Sequence, residues 1–164
     1  MLIKEPSKYY DVIVVGGGHA GIEASLASSR MGCSTLLISL KAEAIGRLSC
    51  NPAIGGTAKG HLVREIDALG GEMGKIADAT GIQFKMLNTS KGPAVWSPRS
   101  QNDRDLYAQE AQKRIFSQKN LDVLEDSVFD ISIENDCING IQTRNGFSIN
   151  CQSLILCAGT FLNG

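Results

Sequence analysis

The stretch Tyr10–Gly21, YDVIVVGGGHAG, decides the fold. Val12–Val15, with Asp11 ahead of them, read as a short buried strand. They run into Gly16, Gly18 and Gly21, spaced G-x-G-x-x-G, and a helical pattern opens near His19 and continues through Ile22, Leu26 and Met31. Strand, glycine turn and helix in that order are the context a dinucleotide-binding fingerprint requires. Gly16 suits the tight bend, Gly18 the approach of a pyrophosphate, and Gly21 the close packing of helix on sheet. The helix N-terminus adds free N–H groups and partial positive charge.

Working outward, Gly32 stops the helix and Thr35–Leu40, TLLISL, reads as a second buried strand. Strand, crossover helix and strand in so short a span make a βαβ unit, which predicts parallel strands and a right-handed crossover. A carboxylate on the ribose hydroxyls is expected at the end of that second strand. The residues there are Ser39 and Leu40, with Glu43 following, so the carboxylate is missing or displaced and Ser39 is left as a weaker partner.

Ile45–Gly60, IGRLSCNPAIGGTAKG, reads as an irregular, small-sided loop able to lie along a flat ring system. It carries Cys50, for which two readings stand: a reactive thiol or a packed loop cysteine. Leu62–Leu69 and Met73–Ala79 read as helices, with Gly70-Gly71 between them, and Gly81–Leu87 alternates as a strand. Asn88–Ser100 reads as a long loop holding Lys91, Arg99 and Trp96, the only tryptophan. It is either a solvated connection or a basic, substrate-facing loop whose Trp96 stacks on a base. Ser100 is the expected N-cap of a helix over Gln101–Phe116. Strands follow at 121–126, 127–134, 137–144 and 147–151, an antiparallel meander with Asn145-Gly146 as hairpin signal. Ser153–Cys157 closes as a further buried strand before Ala158-Gly159-Thr160, whose backbone is expected at the same edge as the first turn.

Composition narrows the class. The chain has 164 residues, 43% hydrophobic and 20% charged, with a net charge of -1, as ordinary globular domains do. Nothing in that balance argues for a polyanionic partner. No apolar run approaches the ~20 residues of a membrane span, and no signal-peptide pattern precedes Val12. Five cysteines without paired spacing point to a reducing, cytoplasmic compartment. No metal site is expected.

Four stretches together resemble a known family: YDVIVVGGGHAGIEA, SCNPAIGGTAKGHLVREIDALGG, GIQFKMLNTSKGPAV and LCAGTFLNG. They are similar to the N-terminal part of the bacterial tRNA uridine 5-carboxymethylaminomethyl modification enzymes, the glucose-inhibited division protein A family. The resemblance implies an α/β fold: a Rossmann-like FAD-binding domain of the glutathione-reductase class, with a parallel central sheet and an antiparallel β-meander insertion. It implies FAD on Gly16, Gly17, Gly18, His19, Ala20 and Gly21, with Ser39, Gly159 and Thr160 at the same edge. It also implies adenine held by the backbone of Val128, and Cys50 as one of two catalytic cysteines. Arg99 and Arg104 are placed near tRNA by the same resemblance.

The implied activity is addition of a carboxymethylaminomethyl or aminomethyl group to carbon 5 of the wobble uridine. The one-carbon unit comes from methylenetetrahydrofolate, NADH is the reductant, a GTPase is the partner, and the enzyme is a homodimer. Family members run beyond Gly164, so residues 1–164 are expected to be the N-terminal segment of the FAD-binding domain. The NADH-binding insertion, the second cysteine and the helical C-terminal region then lie elsewhere, and the segment alone is expected to be inactive and to hold FAD weakly. The alternative is a folate- and FAD-dependent tRNA (uracil-5-)-methyltransferase. A flavin disulfide reductase would need a second cysteine five residues after Cys50, where Gly55 stands. A nucleotide-binding module without catalysis is the remaining reading.

Overall fold

Val12, Ile13, Val14 and Val15 are β-branched and apolar, which suits a strand covered on both faces. In the computed structural model, which describes residues 1–159, they lie in β2 (Tyr9–Val15), after a two-residue β1 (Leu2–Ile3). The chain continues through α1 (His19–Arg30), β3 (Thr35–Ser39), β4 (Ala53–Gly55), α2 (Lys59–Ala68) and α3 (Met73–Thr80). Then come β5 (Gly81–Leu87), β6 (Ser97–Asn102), α4 (Arg104–Ser117), β7 (Leu121–Glu125), β8 (Val128–Glu134), β9 (Cys137–Thr143) and β10 (Ser148–Leu156). Two compact units result: residues 1–46 with the described chain from 112 onward, and residues 47–111. Among the described residues no helix is long and apolar enough to cross a membrane.

The first unit is a seven-stranded sheet in the order β1-β7-β3-β2-β10-β9-β8. Its first five strands are mutually parallel, and β9 and β8 extend it antiparallel. Ile13, Leu36, Ile38 and Leu124 face one side and join Tyr10, Ile141, Ile149 and Cys151 in the core. Each such side chain contributes roughly 1.5–3 kcal/mol on burial. α1 packs against β2 and β3, with Ile22 and Leu26 buried. It ends in a Schellman motif at Gly32 (φ 96°), where Cys33 N–H donates to Ser28 O and Gly32 N–H to Ser29 O.

The second unit is a three-stranded antiparallel sheet, β4-β6-β5, with α2 and α3 against it. α2 closes with the same glycine motif at Gly70-Gly71: Gly71 N–H donates to Ile66 O and Gly70 N–H to Asp67 O.

Several expectations are corrected. Met1–Tyr9 reads in sequence as a short polar lead, but Leu2–Ile3 within it is a strand because it completes the edge beside β7 (Leu2 opposite Val123). The loop expected over Ile45–Gly60 contains β4 and the start of α2, and the loop expected over Asn88–Ser100 gives way at Ser97 to β6. β6 is polar, SPRSQN, and reads as loop; it is a strand because β4 and β5 bond to both its edges. Pro98 is tolerated because β4 pairs only from Arg99 on. Ser100 therefore sits inside a strand and caps nothing. The cap of α4 is Asp103, whose Oδ1 accepts from the N–H groups of Asp105 and Leu106, both at 2.9 Å. The segments 147–151 and 153–157 are one strand, β10, which pairs with β9 at its start and with β2 from Asn150 on. The expected Asn145-Gly146 hairpin forms between β9 and β10, and Asn135-Asp136, both at positive φ, join β8 to β9.

Tyr10 gives this core a pH signature. Its hydroxyl donates to Asp122 Oδ2 at 2.9 Å and accepts from Ser7 N–H at 3.2 Å. Burial, with the Asp122 carboxylate adding to it, raises the phenol above its ordinary value, and the Ser7 bond partly offsets this. The folded chain then holds the phenolic proton more tightly than the unfolded chain, so stability falls as pH rises above about 10. Tyr10→Phe is expected to cost about 1 kcal/mol at neutral pH and to flatten that alkaline decline, as measured by denaturant melts from pH 7 to 11.

Candidate functional site

The glycine turn at the carboxyl end of β2 separates into glycines the fold needs and one it does not. Gly16 has φ 109°, and a Cβ there would overlap the Cys157 carbonyl, where Cys157 N–H donates to Val15 O at 2.7 Å. A Cβ on Gly21 would overlap the carbonyl oxygen of Gly16, so α1 lies as close to the turn as backbone allows. A Cβ on Gly17 would come within 2.7 Å of Ile45 Cγ1, and its carbonyl accepts from Gly46 N–H at 3.0 Å. Gly18 differs. It is the N-cap of α1, its φ of -74° and ψ of -175° suit any residue, and among the described residues a Cβ there meets nothing within 4 Å.

The protein itself thus has no use for a glycine at 18. The space it leaves opens in front of a helix N-terminus whose first turn carries no acidic side chain. His19 and Ala20 begin that turn, and the first helical bond is Ile22 N–H to Gly18 O at 2.9 Å. A site with partial positive charge, backbone donors and no Cβ in front fits a diphosphate.

Other expected residues converge on the same edge. Ser39 ends β3, is 8% exposed, and donates through Oγ to Lys41 O at 3.0 Å. Its hydroxyl proton is therefore already in use. Val128 opens β8, three residues after β7 ends beside Ser39, and packs against the core. Gly159, at φ 74°, follows β10 by three residues and has nothing among the described residues within 4 Å of its missing Cβ. Thr160 lies outside the described residues. Glu125 had no place in the sequence reading. It ends β7 opposite Ser39, and Oε1 accepts from Ala42 N–H at 2.6 Å. Only the register of two strands far apart in the chain reveals it.

Cys50 belongs to the second unit and is exposed. Its loop is held at several points. Arg104 donates to the Cys50 carbonyl at 2.9 Å, Ala53 N–H to Asn51 O at 2.7 Å, and Asn102 N–H to Pro52 O at 2.8 Å. Lys59 Nζ donates to Ala53 O at 3.0 Å, and burial lowers its pKa against the opposing pull of Cys50. Ala58 (φ 69°, ψ -66°), with Lys59 N–H on Thr57 O, forms a γ-turn of the strained kind, at roughly 1–3 kcal/mol. Arg104 is thus engaged in holding the cysteine loop, and Arg99 reaches Gln101 Oε1 at 3.4 Å. Trp96 is 45% exposed, with its indole N–H donated to Thr89 O. The same unit holds a cavity of about 350 Å³ walled by Ile54, Val63, Ala77, Phe84 and Met86.

The family model described as Glucose inhibited division protein A matches residues 11–164. The chain is 57% identical, over all 164 residues, to a tRNA uridine 5-carboxymethylaminomethyl modification enzyme MnmG of Protochlamydia amoebophila. It spans 26% of that relative's length. A solved structure of Aquifex aeolicus GidA superposes with a TM-score of 0.91 at 54% identity, covering 94% of this chain and 26% of that one. A probable FAD-dependent monooxygenase from Pseudomonas aeruginosa, pqsL, shares the fold at 13% identity and a TM-score of 0.62, over 89% of this chain and 41% of its own.

Substitution separates the two kinds of glycine. Gly21→Ala gains about 1 kcal/mol of helix propensity but loses more to the overlap with Gly16, so thermal melting is expected to drop by the equivalent of about 2 kcal/mol. Gly18→Ala is expected to cost less than about 1 kcal/mol of stability, while dinucleotide affinity, read by equilibrium dialysis, falls tenfold or more.

Proposed function

We infer what this chain does from the fact that it belongs to the glucose inhibited division protein A family. It is the N-terminal segment of an FAD-binding domain in a flavin-dependent tRNA-modifying enzyme. The observation that carries the reading is the space at Gly18, open among the described residues, at a helix N-terminus with no acidic side chain in its first turn. The backbone of Gly16, Gly17, Gly18, His19, Ala20 and Gly21 binds the diphosphate of FAD. Val128 holds the adenine through its main chain, and Ser39, Gly159 and Thr160 complete the edge.

The substrate is tRNA. The product carries a carboxymethylaminomethyl or aminomethyl group on carbon 5 of the wobble uridine, with methylenetetrahydrofolate as one-carbon donor. FAD would supply the electron transfer when bound, with NADH as the reductant that returns it to its reduced form. Cys50 is the catalytic thiol, presented to solvent on a loop that Arg104 and the Ala53–Lys59 bond hold in place. The enzyme works in the cytoplasm as a homodimer with a GTPase partner. The identity with MnmG relatives across the whole chain supports the wobble-position reaction over uracil-5 methylation.

The whole protein that contains this segment is expected to purify with flavin absorbance, while residues 1–164 alone are expected to be inactive and to hold FAD weakly. Cys50→Ser is expected to keep those bands and to lower wobble-uridine modification, read by nucleoside mass spectrometry, by at least about a hundredfold. A colourless protein, or an unchanged rate in the Cys50 variant, would overturn the respective half of the reading.

A further inference from the structure

The second strand of the dinucleotide unit ends without its customary acid: β3 closes at Ser39 and Leu40 follows. Ser39 is no substitute, because it is buried and its Oγ is turned onto the Lys41 carbonyl. A carboxylate nevertheless stands at that place, and it arrives from the neighbouring strand.

Glu125 ends β7 and is the register partner of Ser39. Its side chain crosses to the β3 side, where Oε1 accepts from Ala42 N–H at 2.6 Å, three residues beyond Ser39. The carboxylate is therefore held over the mouth of β3. The glycine turn is tied to the same strand, through Gly16 N–H to Ile38 O at 2.8 Å. Strands lie about 4.8 Å apart, so Gly16, Ser39 and Glu125 form a row along the carboxyl edge, with the Glu125 carboxylate reaching back towards its middle. Glu125 is exposed, and among the described residues Oε2 has no hydrogen-bond partner. An ionised carboxylate accepts at both oxygens, and a vicinal diol offers two O–H donors to it in charge-assisted bonds.

We propose that Glu125 is the ribose-binding carboxylate of this fold: Ala42 fixes Oε1, and the free lone pairs accept from the 2′- and 3′-hydroxyls of the adenosine half of a dinucleotide. The inference rests on the FAD reading and adds to it the residue that reads the sugar. It also selects the ligand class. A ribose 2′-phosphate would meet a carboxylate of like charge, so the site takes an unphosphorylated adenosine ribose.

The test is a titration of the whole protein that contains this segment with FAD and with an FAD analogue whose adenosine carries a 2′,3′-dideoxyribose. Wild type is expected to bind FAD about tenfold or more tightly than the analogue. Glu125→Ala is expected to lose that preference by weakening FAD alone. Glu125→Gln, which keeps an acceptor for Ala42, is expected to retain part of it. Equal weakening of both ligands in Glu125→Ala would show that Glu125 only shapes the loop, and the proposal would fall. A wild type that binds both ligands equally would also end it. Binding of neither ligand to wild type would instead remove the flavin reading, and this proposal with it.

Discussion

The contact between the α-carbon of Gly21 and the carbonyl of Gly16 sets the geometry of the first unit. No side chain fits between them, so the first turn of α1 is pressed onto the end of β2. Helix amides then emerge at the carboxyl edge of the sheet, where β3, β7 and β10 also end. Everything assigned to the nucleotide depends on that convergence. The electrostatics follow from it: an open helix N-terminus attracts an anion, and the absence of acidic residues in its first turn leaves that attraction intact.

The second unit works by different means. Its sheet is short and its central strand polar, so main-chain bonding and local anchors carry more of the order. Asn102 shows this: its amide donates to Ala77 O at 2.7 Å and to Thr80 Oγ1 at 3.1 Å, joining β6 to α3 by hydrogen bonds. The Cys50 loop follows the same logic. Its backbone carbonyls are taken up by Arg104, Lys59 and Asn102, which constrains the loop and leaves the thiol exposed.

The legible parts of the chain were those with a period or a punctuating glycine. β2, α1 and β3 stood within a few residues of where Val12–Val15, the G-x-G-x-x-G spacing and TLLIS put them. α2 and α3 were legible through their apolar positions and through Gly70-Gly71. β4 and β6 were not, because AIG and SPRSQN have neither alternation nor β-propensity. Ser100 looked like a cap for the same reason, since a serine before a helical pattern carries the cap signal wherever the strand actually ends.

The sequence by itself determined the dinucleotide unit, because its requirements are local: each of Gly16, Gly18 and Gly21 acts within one turn of chain, and the flanking apolar runs specify strand and helix directly. It also marked the cysteine loop as unusual. Only the tertiary structure decided which of those glycines serves the fold and which leaves room for a ligand, because Cβ overlap depends on what lies across from it. It alone brought Glu125 beside Ser39, since a register between strands more than eighty residues apart has no trace in either segment. Local conformation is written in neighbouring residues, whereas a juxtaposition across a sheet exists only once the intervening chain has folded.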